Sequence, residues 1–160
     1  MESHNPEHEA VQRTQRPVSR EEGRAVPIGR ERRRRILIVE DEEQVRKPMR
    51  LNLTKAGYDV VEVGNGADAI EFLKTEGNAG MVDTLLCDIR MPEVTGIEAI
   101  LHVRTHYPSI PIVVLTGYPD VELAASLMEQ GVLDYLIKPI TREELLTVIE
   151  RSVDHGKATR

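Results

Sequence analysis

Carboxylates, a hydroxyl and an ammonium recur in this chain at one kind of place, the end of a short apolar run. Asp88 follows Thr84-Leu85-Leu86-Cys87, and Glu40-Asp41 follows Ile36-Leu37-Ile38-Val39. Thr116 closes a third such run and Lys138 a fourth. Three carboxylates in one pocket repel one another, and a hard divalent cation with oxygen ligands, Mg2+ above all, relieves that repulsion. An incoming phosphoryl group also needs positive charge to meet it, which the metal and Lys138 would supply. The Thr116 hydroxyl can donate to a phosphoryl oxygen. Asp88, at the centre of the group, is the expected nucleophile, since a carboxylate can take phosphate as an acyl phosphate. The product would carry about -1.5 to -2 charge and three strong acceptors, enough to reposition a nearby hydroxyl and loop. Chemistry of this kind works as a switch.

These groups meet only if the apolar runs are parallel neighbours. From residue 35 onward, short and almost wholly apolar runs alternate with longer segments of helical period, the pattern of βα units around a parallel sheet buried on both faces. The expected strands are 36–39, 58–63, 84–87, 112–115 and 134–137, and the expected helices 43–55, 67–75, 96–106, 121–130 and 142–153. Gly57, Gly64-Asn65-Gly66, Pro108, Pro111 and Gly131 punctuate them. Pro48 is a misfit inside the first helix, where it costs about 3 kcal/mol unless the helix kinks or begins later. Right-handed crossovers lead to the strand order 2-1-3-4-5, with strands one and three adjacent at the switch point, where ligands bind beyond the carboxyl ends.

Composition bounds the rest. The chain has 160 residues, 40% of them apolar, which suits a single core with some residues to spare. Residues 1–35 hold nine Arg against six Glu, net +3, while the remainder holds 12 basic and 21 acidic residues, net -9. Segment 1–34 has three prolines before Arg33 and no periodic apolar pattern, so it is expected to be a disordered, Arg-rich tail. The folded domain is expected over 35–155 and a short tail over 156–160. Arg32 to Arg35 read as a solvated lead-in to the first strand, an anionic-surface patch being the alternative. One cysteine makes no internal disulfide, and neither a membrane-length apolar stretch nor a signal segment near Met1 is present, so a cytoplasmic protein is expected. With no Trp and one Phe the chain lacks a base-stacking surface, which leaves the Arg-rich tail as the place for any nucleic-acid contact.

The segments Ile36-Leu37-Ile38-Val39-Glu40-Asp41-Glu42, Leu85-Leu86-Cys87-Asp88-Ile89-Arg90-Met91-Pro92, Val113-Val114-Leu115-Thr116-Gly117 and Asp134-Tyr135-Leu136-Ile137-Lys138-Pro139 together resemble the receiver domain of two-component response regulators, over residues 35–153. The resemblance implies an α/β, flavodoxin-like (βα)5 fold, a doubly wound parallel sheet. It implies that Asp88 accepts phosphate from a sensor histidine kinase, or exchanges it with a histidine phosphotransfer protein. Asp41 and Asp88 would ligate Mg2+ with the backbone carbonyl of Arg90, and Glu40 would assist through water. Lys138 would pair with the phosphoryl group, Thr116 would turn inward to bond it, and Tyr135 matches the aromatic that switches with Thr116. Output in such domains typically leaves through the fourth helix, fifth strand and fifth helix. Two departures stand out: Glu40 takes a place where Asp is more frequent, and the residues two places after Asp88 and Thr116 are the large Arg90 and Tyr118, positions that in this family govern access of water to the acyl phosphate. A fairly long-lived phosphorylated state is expected.

Plainer readings exist for several residues. Asp88 alone could be a strand cap and Glu40-Asp41 a helix N-cap, but joined with Thr116 and Lys138 they make a site. Cys87 reads as a buried small hydrophobe rather than a redox sensor, and Tyr135 could be edge packing. His102, His106 and His155 lack a second ligand at useful spacing and read as surface residues; His4 and His8 fall in the tail. The chain stops at Arg160, so a stand-alone receiver is expected, signalling through a downstream effector protein or a phosphorelay, with a homodimer on phosphorylation as a further possibility. The alternatives are a small Mg2+-dependent α/β phosphohydrolase, for which a Gly-rich phosphate loop, a second acid after Asp88 and a cap are missing, and a receiver-like binding module that takes no phosphate.

Overall fold

The computed structural model describes residues 32–90 and 96–159. The expected disorder of the N-terminal tail, with His4 and His8, and the Met91-Pro92 loop lie outside the described residues. The chain runs β1 (Arg35–Val39), α1 (Glu43–Lys55), β2 (Asp59–Val63), α2 (Gly66–Lys74), a 3-10 turn (Ala79–Met81), β3 (Thr84–Asp88), α3 (Gly96–His106), β4 (Ile112–Thr116), α4 (Val121–Glu129), β5 (Asp134–Ile137) and α5 (Arg142–Thr159). All strand pairs are parallel and the sheet order is β2-β1-β3-β4-β5, the order expected.

The central strands are apolar on both faces because both faces are covered. Leu37, Val39, Leu85, Cys87, Ile112 and Val114 pack with residues of α2, α3 and α4, while Ile36, Ile38, Leu86, Val113 and Leu115 pack with Met49 and Leu53 of α1 and Leu145 and Ile149 of α5. Each fully buried Leu or Ile contributes about 1.5–3 kcal/mol over leaving it in water, so register is strongly specified: a slip by one residue would move a whole set of side chains to the wrong layer. That register sets Val39 level with Cys87, and Asp88 level with Leu115. Glu40 and Asp88 are therefore brought to the same end of adjacent strands.

The Arg run before β1 is more than solvated chain. Arg34 pairs with buried Asp83 at 3.6 Å, Asp83 also accepts from the Arg35 backbone N–H at 2.8 Å, and the Arg35 side chain donates to Asp59 at 2.7 Å. These contacts tie the start of β1 to both neighbouring strands. Pro48 does not interrupt α1, which is helical from Glu43 to Lys55. The last helix runs to Thr159 rather than ending at 153, so most of the segment expected as a C-terminal tail is helical. There Ser152 meets Thr84 through a buried hydroxyl contact of 2.8 Å, and the backbone at Gly156 lies against the Pro111 ring. Among the described residues no helix is long and apolar enough to cross a membrane.

α3 is held at both ends. Its last turn carries Arg104, which donates to the carbonyls of Gln130 at 2.9 Å and Pro108 at 3.0 Å, and so bridges the loops that enter β4 and β5. Gly131, at φ 99°, adopts the left-handed conformation that closes α4, and its bare backbone lies beneath the Arg104 guanidinium. At the other end, a Cβ on Gly96 would run into the Asp88 carbonyl oxygen and lie 2.5 Å from the Ile89 Cα. Both of those neighbours are backbone and cannot swing aside. Gly96→Ala should therefore destabilise the fold by about 3 kcal/mol or more in urea unfolding; a change below about 0.5 kcal/mol would show that α3 can slide away from β3 without cost.

Candidate functional site

The site is built from the carboxyl ends of β1, β3, β4 and β5. Glu40 and Asp88 are 0% and 3% exposed, and Asp41 is at the surface. One carboxylate oxygen from each of Glu40, Asp41 and Asp88 lies within 4.8 Å of the others. Lys138, the residue after β5, reaches across the sheet: its Nζ is 3.0 Å from Glu40 Oε1 and 3.2 Å from Asp88 Oδ2. The remaining Asp88 oxygen, Oδ1, accepts from the Arg90 backbone N–H at 3.0 Å. The Lys138-Pro139 peptide is cis.

Buried charge decides the electrostatics. Burial, with the nearby Asp88 charge, pushes the Glu40 carboxyl up from its ordinary 4.5 to about 7, against the opposing pull of Lys138 and the Glu42 amide. Burial alone would lower the Lys138 ammonium, but Glu40 and Asp88 outweigh it and hold it above the usual lysine range. Glu40 Oε2 accepts from the Glu42 N–H at 3.2 Å, whereas buried Oε1 has the Lys138 ammonium for an ion-pair partner and no aligned hydrogen bond. A buried oxygen left this way, beside two further carboxylates, is a donor set suited to a hard divalent cation.

Thr116 and Tyr135 stand differently. Thr116 is fully buried at the end of β4, but its hydroxyl is engaged with its own loop: it accepts from the Tyr118 N–H at 3.0 Å and lies 3.3 Å from the Tyr118 carbonyl. Tyr135, on β5, packs half-buried against the layer beneath α3 and α4, and its phenol oxygen is out of water with no hydrogen-bond partner among the described residues. The Arg90 guanidinium lies over the Tyr118 ring, 4.9 Å from its centre. These two side chains, with Asp41, Glu42, Asp88, Gly117 and Lys138, line a pocket of about 430 Å³.

Sequence reasoning missed two contributors. The Glu42 amide fixes Glu40, and Arg46, one turn into α1, donates to the Glu40 carbonyl at 2.7 Å while pairing with Glu62 at 2.9 Å. Glu42 closes the first motif, but its part is played by a backbone amide, which residue type does not report; Arg46 lies outside every motif, and an Arg facing an acid on the next strand was the available signal. Cys87 is fully buried on the other face of β3, its thiol pushed up by burial and by the charges of Asp88 and Glu40, so it stays protonated and inert. His155 is exposed. His106 is exposed, as expected, while His102 is half-buried; one helical turn apart on α3, their rings stack at 4.2 Å.

Comparison with known proteins agrees with this geometry. The family profile described as response regulator receiver domain matches residues 36–150. The transcriptional regulatory protein ZraR of Klebsiella oxytoca is 35% identical over 122 residues, 76% of this chain and 27% of that protein. The DNA-binding transcriptional regulator NtrC of Escherichia coli K12 is 31% identical over 120 residues, 75% of this chain and 25% of that protein. The chain thus spans about a quarter of the length of these relatives, and the expectation of a stand-alone receiver finds no counterpart in them. Among solved structures, a CheY-like receiver domain protein of Methanospirillum hungatei shares the fold at a TM-score of 0.74 and 23% identity, covering 81% of this chain and 100% of its own. The chemotaxis protein CheY4 of Vibrio cholerae does so at 0.68 and 28%, covering 76% and 99%. Five parallel strands in this order, the acidic cluster at their carboxyl ends and the family match lead to one conclusion: the chain belongs to the response regulator receiver domain family of two-component signalling proteins.

Proposed function

We propose that Asp88 is the phosphoryl acceptor of this receiver, charged by a phosphohistidine on a sensor histidine kinase or a histidine phosphotransfer protein. The observation that carries this reading is the position of the Asp88 carboxylate, buried at a strand end with Lys138 at 3.2 Å and the Arg90 N–H at 3.0 Å. In the transfer an Asp88 oxygen bonds to phosphorus, the P–N bond breaks, and its electron pair returns to the imidazole nitrogen. Lys138 then follows the negative charge from the carboxylate to the phosphoryl oxygens. Asp41, Asp88 and the Arg90 carbonyl would hold Mg2+, with Glu40 acting through water. When bound, the metal would offset phosphoryl charge as it develops.

The switch follows from what Thr116 and Tyr135 are doing now. The Thr116 hydroxyl now donates to the neutral Tyr118 carbonyl at 3.3 Å and accepts from the Tyr118 amide, and a phosphoryl oxygen would accept from it a charge-assisted bond, roughly twice as strong. Turning inward frees the Tyr118 amide and loosens the loop before α4. Tyr135 has a buried hydroxyl with nothing to lose by moving. Val121, Met128 and Ile137 are 84%, 45% and 49% exposed on α4 and β5, apolar surface through which a changed loop can be read by an effector protein or a second receiver. The names of ZraR and NtrC as transcriptional regulators favour an effector that acts on transcription. Turnover of a diffusible phosphate ester is not part of this reading, since the position two residues past Asp88 holds Arg90, a cation turned onto Tyr118 rather than a second acid.

Three outcomes test the proposal. Incubation with acetyl phosphate and Mg2+ should add one phosphoryl group to the intact mass of the wild type and none to Asp88→Asn; no gain in either would leave a binding module that never takes phosphate. The Arg90-Tyr118 pair, worth about 0.5–1 kcal/mol at an exposed site, shields the acyl phosphate from water. Tyr118→Ala should therefore lose label faster than the wild type in Mg2+ buffer, and equal decay would show that the pair is no shield. The raised Glu40 carboxyl gives a pH dependence in metal-free solution: between 4.5 and about 7 the folded protein keeps a proton that the unfolded chain has released, so its contribution to stability falls as pH rises through that window. Urea midpoints of Glu40→Gln should lack that fall, and parallel pH profiles for the two proteins would contradict it.

A further inference from the structure

Asp41 is the exposed member of the acidic cluster, and its carboxylate has no hydrogen-bond or ion-pair partner among the described residues. A side chain so placed is aimed by its backbone alone. On the C-terminal side that backbone is fixed: the Glu42 N–H donates to Glu40 Oε2 at 3.2 Å, and the Glu42 carbonyl accepts from the Val45 and Arg46 N–H groups at 3.0 and 2.9 Å as α1 begins. On the N-terminal side the sheet gives out. The Glu40 N–H bonds the Val63 carbonyl at 3.2 Å, but β2 ends at Val63 and the Glu40 carbonyl lies past the ladder.

Arg46 stands in for the missing strand. Its Nη1 donates to the Glu40 carbonyl at 2.7 Å, its Nε to Glu62 Oε1 at 2.9 Å and its Nη2 to Glu43 Oε1 at 2.7 Å, so all three nitrogens are engaged. Glu62 is held in turn by Arg50 at 2.9 Å. A planar guanidinium pinned at three points is a fixed donor, where a lysine offers one nitrogen on a flexible stem. Glu62 and Glu43 also set two negative charges against the guanidinium, so the Glu40–Asp41 peptide is held without presenting an unpaired cation to a metal ion.

We propose that Arg46 is a positioning residue for Mg2+: by fixing the Glu40–Asp41 peptide it aims the Asp41 carboxylate at the ion, with Glu62 and Arg50 bracing it. It touches neither the metal nor the phosphoryl group. This role rests on the reading of the acidic cluster as the Mg2+ site. Groups that orient metal ligands in this way are worth about 10–100-fold in metal affinity. The sign of the effect separates positioning from charge. Removing Arg46 deletes a cation near three carboxylates and unpairs Glu43, which by Coulomb attraction alone would tighten the binding of a divalent ion; lost positioning weakens it.

The test uses the full chain and Mn2+, an ion that suits the same oxygen ligands, with the electron paramagnetic resonance signal of the free ion as readout and Mg2+ as competitor. Arg46→Ala should raise the Mn2+ dissociation constant about 10-fold or more, and Arg46→Lys, which keeps the charge, should raise it as well. The Mg2+ concentration that half-saturates labelling by acetyl phosphate should rise by the same factor, with the maximal rate recovered at high Mg2+. A merely structural role would lower the urea midpoint or the maximal rate and leave both metal midpoints where they were. Unchanged or tighter Mn2+ binding in Arg46→Ala, or wild-type binding in Arg46→Lys, would overturn the proposal; if Arg46→Ala does not fold, the lysine variant decides. Asp88→Asn keeps the two readings apart. Mn2+ binding that is absent from the wild type, or undiminished in Asp88→Asn, removes the acidic cluster as the metal site and the role of Arg46 with it, whereas binding lost in Asp88→Asn but intact in both Arg46 variants removes the role of Arg46 alone.

Discussion

Two carboxylates taken out of water at the ends of neighbouring strands need a cation, and Lys138 brings one from the far side of β4. Nζ distances of 3.0 Å to Glu40 and 3.2 Å to Asp88 place one ammonium between two acids, which leaves the cluster with more negative than positive charge. An isolated charge in that position would neutralise itself or unfold the region. The surplus negative charge is also what makes the pocket receptive to a divalent ion, and burial first, with the Asp88 charge second, holds the Glu40 carboxyl above its ordinary range. Strand order, register and the apolar layers above and below the sheet serve to hold this arrangement in place.

Much of it was readable in the residues because parallel strands buried on both faces leave an unmistakable pattern. The runs ending at Val39, Cys87 and Leu115 are continuous apolar segments, and whatever follows such a run must emerge at the same end of the sheet. Glu40, Asp41, Asp88 and Lys138 were found this way. The length of α5 was not, since Ser152 and Gly156 break its apolar rhythm and are explained only by the Thr84 hydroxyl and the Pro111 ring they meet. Thr116 was placed at the site, but the direction of its hydroxyl is set by the Tyr118 amide, which no periodicity reports.

Other omissions have a different cause. Arg46 reaches the Glu40 carbonyl from a helix whose sequence shows only a charged face, and Arg34 and Arg35 looked like surplus charge until Asp83 and Asp59 were beside them. Long basic side chains act at a distance from their own backbone, so their partners are a tertiary fact. The histidine pair is the opposite case: its four-residue spacing on one helix face is a local feature of the sequence, and it alone sets the two rings against each other.

The two anchorages of α3 have a mechanical consequence. At its start Gly96 rests on the backbone of Asp88, and near its end Arg104 grips the Pro108 and Gln130 carbonyls. A helix seated against backbone at one end and clamped at the other is a strut, stiff along its axis and unable to absorb a push by repacking side chains. A displacement of β3 at its tip would press on the start of α3, whose far end is bonded through Arg104 to the loops at the base of β4 and β5. The underside of the sheet would move in step with its top.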